Sequence, residues 1–499
     1  MPAAFTPTMT AADSVLWTME RDPELRSTVT AVALLDRAPD RDRLRRRVEE
    51  AVRLYPRLRQ RAVPAPLGFG PPRWSDDPAV DLGYHLRTVA APPPGDLRWL
   101  LDLAASMAEA GFDRNRPLWE LVVVEQLADG TAAVVQKVHH AMTDGVGGVA
   151  LVSALLDPAR RARTAGAGRA GATFAGSGTD GAWSAGTGTA AAGARAAGTD
   201  SAWIDGAGTA AAGTGEAGRH PARAVVAAPM AAARRLPGVV RAAADPAGLV
   251  RSAWRIGTSV ARVVAPGGPR RSPVLQGHSA NWRFDVLEVP LDALRRAGHA
   301  SGGTVNDAFV AALAGGFHRY HLAHGLPVAE LNLDLPVSIR RAGDPLGGNR
   351  FTPVRFAVPI AEPDPAARIR AIGELCRRHR HEPALPLTNA IAAAVDRLPA
   401  RATTAVMAAL LKGTDVVATN VAGVTGRSYI AGAEVRREFG FAPLSGAAVN
   451  VALVSHGAIG CVGVNMDRAA VADPEVLVGC LADALDEVVA VAGPARRSP

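Results

Sequence analysis

The chain has 499 residues, 48% of them hydrophobic and 20% charged, which excludes a disordered protein and is too long for a single hydrophobic core. The formal net charge of +8 invites a nucleic-acid partner, yet only two of the 55 basic residues are lysine, the arginines mostly lie among acidic residues, and no basic run carries stacking aromatics. That skew reads as GC-rich coding, and no nucleic acid is expected.

Thr10-Ala11-Ala12-Asp13-Ser14 reads as a helix start, followed by a strand over Thr28–Leu35. Asp40–Leu54 places Leu44, Val48 and Val52 on one face of an amphipathic helix whose other face is charged. Leu82–Leu86 reads as a short strand and Leu97–Ala110 as a helix. Asp129-Gly130 then predicts a hairpin turn between Leu118–Leu127 and Ala132–Val138. At the end of that hairpin stands His139-His140-Ala141-Met142-Thr143-Asp144-Gly145, and a further helix is expected from about Gly147 to Leu156.

From 158 to 222 the composition shifts to Gly, Ala, Thr and Ser, and Gly178–Trp183 is nearly repeated as Gly198–Trp203, 20 residues later. Two copies without a Leu or Ile lattice cannot stack a core, so a disordered linker is expected. Residues 223–271 form a connector in which Ala224–Val264 carries Arg234, Arg241, Arg251, Arg255 and Arg262 at helical spacing. Such a basic amphipathic segment suits either a membrane surface or packing on the body with a solvated arginine face.

The second domain is expected over 272–499, with the first over 1–157. Its predicted elements are a strand at Phe284–Val289, helices at Leu291–Ala297 and Thr304–His321, and strands at Leu331–Pro336 and Phe351–Pro359. Helices then cover Ala366–Arg380 and Pro386–Leu411. Strands follow at Asp415–Val421, Gly446–Val454 and Ile459–Met466, and a closing helix runs from Asp473 to about Val491. Mixed strands and helices of this kind predict α/β (α+β) sheets covered by helices.

His-His-x-x-x-Asp-Gly at a strand end points to acyl transfer. Imidazole titrates near working pH, so one histidine can take a proton from an acceptor hydroxyl or amine and pass it on. No Gly-x-Ser-x-Gly elbow is present, so no acyl-serine intermediate is required and direct transfer is the simpler scheme. Neither a metal-ligand cluster nor a phosphate-binding glycine loop competes, and the three cysteines, Cys376, Cys461 and Cys480, suggest neither a disulfide scaffold nor a metal site. The N-terminal residues lack a signal-peptide pattern and no apolar run is long enough to span a bilayer, so a cytoplasmic protein is expected.

These residues together resemble the bacterial wax ester synthase/diacylglycerol acyltransferases, within the coenzyme-A-dependent acyltransferase superfamily. The resemblance rests on Pro117-Leu118-Trp119-Glu120, on His139–Gly145, and on Thr304-Val305-Asn306-Asp307. Leu335-Pro336-Val337-Ser338, Gly348-Asn349-Arg350 and Ala431-Gly432-Ala433-Glu434-Val435 extend it. It implies two chloramphenicol-acetyltransferase-like domains with a channel between them, acyl-CoA entering from one side and a lipid alcohol or diacylglycerol from the other. Acyl-CoA would be a co-substrate, with no further cofactor and no metal. His140 would be the base and His139 a residue that shapes the loop. Asp144 would hold that loop, and Gly145 would let it turn. Pro117, Leu118, Trp119, Glu120, Asn306 and Asp307 would support the channel, with a helix-cap network as the structural alternative for the last two.

The chain departs from the family where Ser-Asn-Val-Pro-Gly-Pro becomes Thr419-Asn420-Val421-Ala422-Gly423-Val424, and where Tyr-Pro becomes Phe439-Gly440. Acceptor preference therefore stays open. The leading expectation is triacylglycerol or wax ester synthesis by a protein resting peripherally on the plasma membrane's inner face or on lipid bodies. The alternatives are a related transferase with a polyketide or amine acceptor, and a catalytically silent lipid-surface protein.

Overall fold

The computed structural model describes residues 6–65, 70–142, 154–157, 268–338, 349, 351–380 and 388–493. The Gly/Ala/Thr-rich stretch with its repeat, the basic segment 224–264, most of the helix expected after Gly147, and Asp144 and Gly145 themselves lie outside the described residues.

In the first half, α1 (Ala11–Met19) and α2 (Arg41–Leu54) flank β1 (Thr28–Leu35) in sequence. Thr10 and Asp13 form a reciprocal capping box that starts α1, and the Asp40 carboxylate caps α2. A small two-stranded sheet, β2 (Gln60–Val63) and β3 (Arg73–Asp76), follows. The strand expected over Leu82–Leu86 is instead one helical turn, α3 (Leu82–His85), capped by Asp81, and the extended chain begins only at β4 (Leu86–Ala90). An aspartate whose side chain bonds the backbone two residues on favours a turn over a ladder, which is the reason for the difference. Then come α4 (Leu97–Glu109), β5 (Trp119–Glu125) and β6 (Ala132–His139), the last two paired antiparallel as the hairpin reading predicts.

The second half contains β7 (Trp282–Pro290), α5 (Leu291–Ala300), α6 (Val305–Ala323), β8 (Glu330–Ser338), β9 (Phe351–Pro359) and α7 (Pro365–Arg380). The largely helical stretch expected over Pro386–Leu411 holds two helices, α8 (Thr388–Val395) and α9 (Ala400–Leu411), separated at Pro399, whose ring favours a helix start over a helix interior. The remaining elements are β10 (Val416–Val421), β11 (Ser428–Ile430), β12 (Ala433–Phe441), β13 (Val449–His456), β14 (Ile459–Asp467) and α10 (Pro474–Ala490).

Two six-stranded mixed sheets result, in the orders β11-β12-β1-β6-β5-β4 and β7-β14-β13-β10-β8-β9. Strands β11 and β12, late in the chain, belong to the first sheet: β12 runs antiparallel to β1, with Thr30 opposite Phe441. Their connection is a two-residue turn with positive φ at Ala431 (47°) and Gly432 (89°), a hairpin geometry whose twist suits the flanking strands. At the crossing, β14 of the second sheet comes so close to β12 that a Cβ on Gly463 would run into the Gly440 carbonyl.

Alternation along each strand sets the cores. One face of the first sheet packs Ala33, Leu35, Leu121, Val123 and Val134 against Leu44, Val48 and Ala51 of α2. The other packs Val32, Val122, Val124 and Val135 on Leu100, Leu101, Ala104 and Ala108 of α4. That second core also includes Trp282 and Phe284 of β7, so α4 is wedged between the halves. Arg98 of α4 adds a 2.9 Å ion pair to Asp285. In the second half, Leu331, Leu333, Leu335 and Val337 of β8 face a core built with α5, α6, α7 and α10.

Candidate active site

Strand β6 carries the histidine motif to the sheet's end. His139 pairs with Thr28 of β1 and donates its backbone N–H to the Leu118 carbonyl (3.0 Å). The chain then enters a single 3-10 turn, His140–Met142, and the His140 N–H donates to the Ser27 carbonyl (2.8 Å). The two rings meet opposite surroundings. His139 is fully buried, with Trp17 at 5.4 Å and Phe112 at 5.8 Å between ring centroids. Its Nδ1 accepts the Ala141 backbone N–H (2.9 Å), which leaves Nε2 to carry the ring proton. Nε2 lies 3.2 Å from Oε2 of Glu20, off the line of a straight hydrogen bond.

Burial alone would raise the Glu20 carboxyl. The electrostatic attraction of the His139 ring, the hydrogen bond from the Ser27 N–H, and Arg26 outweigh that and hold it at about 2. Glu20 thus grips both the motif histidine and, at 2.7 Å, the backbone N–H of Ser27, whose carbonyl holds His140.

His140 is only partly buried, and its ring lies 5.3 Å from Phe351, the first residue of β9 in the other half. A second tie crosses the halves beside it. The Asn349 side chain donates to the His140 carbonyl (2.6 Å) and to Oδ1 of Asp13 (2.8 Å), while its backbone N–H donates to the same oxygen (2.9 Å). Asp13 and Asn349 are both buried. Burial raises the Asp13 carboxyl, with the bonds from Asn349 and Thr10 opposing.

Pro117, Leu118, Trp119 and Glu120 support this strand end. Pro117 and Leu118 are buried, and Leu118 supplies the carbonyl that holds His139. Trp119 donates Nε1–H to the Leu58 carbonyl (2.7 Å) and stacks on His85, with centroids 4.5 Å apart. Glu120 sits directly opposite Lys137 across β5 and β6, pairs its Nζ at 3.0 Å, and binds Arg87 through its other oxygen. That pairing neutralises a buried lysine within the same sheet.

Asn306 and Asp307 open α6 and are buried. Asp307 completes a capping box with Thr304, accepting its N–H at 2.8 Å and its hydroxyl at 3.0 Å. No described hydrogen bond joins either residue to the histidines, and Asn306 Nδ2 is buried with no partner among the described residues. Among the described residues, no group of His, Cys, Asp and Glu is arranged to hold a metal ion.

Sequence reasoning singled out neither Glu20, Asp13 nor Asn349 as site residues. Asp13 and Asn349 did carry signals, as the third position of a capping box and as part of Gly348-Asn349-Arg350. Glu20, one residue beyond a helix end, carried none.

The catalytic-domain profile of wax ester synthase/diacylglycerol acyltransferases matches residues 9–309, and the profile of the C-terminal domain of that family matches residues 347–488. The chain belongs to the wax ester synthase/diacylglycerol acyltransferase family. A provisionally named diacylglycerol O-acyltransferase of Mycobacterium tuberculosis is 35% identical over 479 residues, covering 96% of this chain and 91% of the relative. A second from that organism is 31% identical over 335 residues, covering 65% and 56%. Among solved structures, the wax ester synthase/diacylglycerol acyltransferase of Marinobacter aquaeolei VT8 is similar in fold, with a TM-score of 0.57, 19% identity, and 98% and 100% of the two chains covered. A condensation domain of the calcium-dependent antibiotic synthetase shares the fold at a TM-score of 0.56 and 13% identity, covering 99% and 98%. Family membership makes this chain an acyltransferase, with two domains of the chloramphenicol-acetyltransferase type.

Proposed function

We propose that this family member transfers a long-chain acyl group from acyl-CoA to the hydroxyl of a diacylglycerol or a long-chain alcohol, with His140 as general base. One observation carries the assignment of the base: of the adjacent histidines, His139 is fully buried, with Nδ1 taken by the Ala141 N–H and Nε2 facing Glu20, whereas His140 is partly exposed beside Phe351. His140 takes the proton as the acceptor oxygen attacks the thioester carbonyl. The tetrahedral intermediate then expels the coenzyme A sulfur, and His140 returns the proton to it. Both substrates are bound together and no acyl-enzyme forms.

Asn349 and Ser27 fix the backbone on both sides of the His140 ring, so the base is held without a charged partner having to move. No helix among the described residues is long and apolar enough to cross a membrane. In this reading the lipid acceptor is met at a lipid surface on which the protein rests peripherally.

The test is thiol release from palmitoyl-CoA by purified protein, offered a long-chain alcohol and a diacylglycerol in parallel. Acceptor-dependent release should fall on the order of 10² to 10⁴-fold in His140→Ala with the fold retained. Release unchanged in that variant removes His140 as the base. No release with either lipid removes the acceptor assignment and turns attention to amine or polyketide acceptors.

A further inference from the structure

One cleft of the molecule plays no part in the proposed chemistry. It has a volume of about 240 Å³ and lies where the last turn of α1, strand β2 and the loop before β5 meet. Its wall is apolar at Trp17, Val63 and Pro64, carries Asn115, and holds two cations, Arg61 and Arg114; among the described residues no carboxylate lines it. The guanidinium carbon of Arg114 lies over the Trp17 ring, 4.2 Å from its centroid, a cation–π contact that uses none of its N–H donors. Glu20, its nearest carboxylate, stands at 3.9 Å, beyond hydrogen-bond reach. Arg61 buries Nε without a hydrogen-bond partner among the described residues. A buried unpaired donor beside a second cation is an arrangement that awaits an anion with several acceptor oxygens.

We propose that this cleft binds a phosphate ester carried on an apolar chain, with the phosphate shared by Arg61 and Arg114 and the chain against Trp17, Val63 and Pro64. A phosphate offers each guanidinium its own oxygens, which a single carboxylate cannot do as well. Two sources share the phosphate: the headgroup of an anionic lipid, which also carries an apolar chain close by, and coenzyme A, whose phosphates are set apart from the acyl chain by pantetheine. The site does not depend on His140 being the base. It nevertheless borders the motif, since Trp17 faces Arg114 on one side and the His139 ring at 5.4 Å on the other.

Calorimetric titration of the full-length protein with decyl phosphate, below its micelle concentration, tests the site with a readout other than turnover. Binding should weaken at least tenfold in the double variant Arg61→Gln/Arg114→Gln. It should weaken similarly in Val63→Glu, which places a carboxylate at an exposed position of the wall and so leaves folding intact. Arg295→Gln, which removes a distant surface charge on α5, should bind as the parent does. Displacement by free coenzyme A identifies the acyl donor as the source, and displacement by phosphatidic acid vesicles but not by phosphatidylcholine vesicles identifies a lipid headgroup. Equal affinity in the parent and both cleft variants overturns the proposal. So does equal binding of decanoate, or displacement by neither source.

Discussion

Adjacent histidines in one strand end receive opposite fates because side chains alternate across a sheet. His139 shares its face with Lys137 and Val135 and meets Trp17, Phe112 and Glu20 there, while the chain turns at His140 into the 3-10 turn. Glu20 and Asn349 are the residues through which this arrangement can be probed. The Glu20 carboxyl is held below its ordinary value of 4.5, at about 2, so its stabilising contribution is complete above pH 4.5 and disappears as the pH falls through 2. Denaturant unfolding between pH 5 and pH 2 should show the parent losing on the order of 3 kcal/mol that Glu20→Gln does not lose. Replacing Asn349 with Ala leaves the His140 carbonyl without that donor and takes both side-chain bonds from a buried pair, so a loss of about 2–4 kcal/mol is expected. Acyl transfer should fall with it, and a fall in kcat larger than the change in KM would separate loss of positioning from loss of binding.

Among the elements, the crossing strand β12 carries a buried carboxyl group. Glu438 lies on it opposite Ala33 of β1, against a small apolar hollow lined by Ala31, Val134, Leu156 and Ile430. Burial pushes its carboxyl up to about 7. The folded chain therefore keeps a proton that the unfolded chain has released, and stability falls as the pH rises from about 4.5 to 7, then levels. Glu438→Gln should be more stable than the parent at pH 8, by up to about 3 kcal/mol, and the gap should close near pH 4.5 when both are unfolded in urea. Close approach governs the neighbouring glycine. Gly463→Ala should cost several kcal/mol, because the atom it meets is the Gly440 backbone carbonyl and cannot swing aside.

These elements also mark the limit of what was legible in the sequence. Caps at Thr10, Asp40 and Thr304, the hairpin turn at Asp129-Gly130 and the motif at its end are local signals, and each could be read from a few neighbouring residues. The hairpin β11–β12 was not read as strands of the first sheet. Its pairing partner β1 lies some 400 positions earlier, and no local pattern encodes so distant a register. For the same reason the histidines were found and their grip by Glu20 and Asn349 was not. Pro117–Glu120, noticed as a motif, gained its physical meaning only when Glu120 was seen opposite Lys137.

For the whole molecule, features that couple the halves include the wedged helix α4, the bonds of Asn349, and the strands that the second half contributes to the first sheet. A fragment of residues 1–157 produced alone should remain insoluble, because one side of β1 has no partner. Co-production with residues 268–499 should restore soluble, helical protein, as read by gel filtration and circular dichroism; solubility of the first fragment by itself would contradict this coupling.

The late arrival of β12 also sets a clock on biosynthesis. Once β1 has left the ribosome, its outer partner is still some 400 residues from being made, a delay of roughly 20–80 s at ordinary elongation rates. Throughout that interval the nascent chain displays an apolar edge, Thr28–Leu35, with nothing to close it. Chaperone holding, slow growth temperature and codon choice upstream of 433 should therefore govern yield more than substitutions within the first 157 residues.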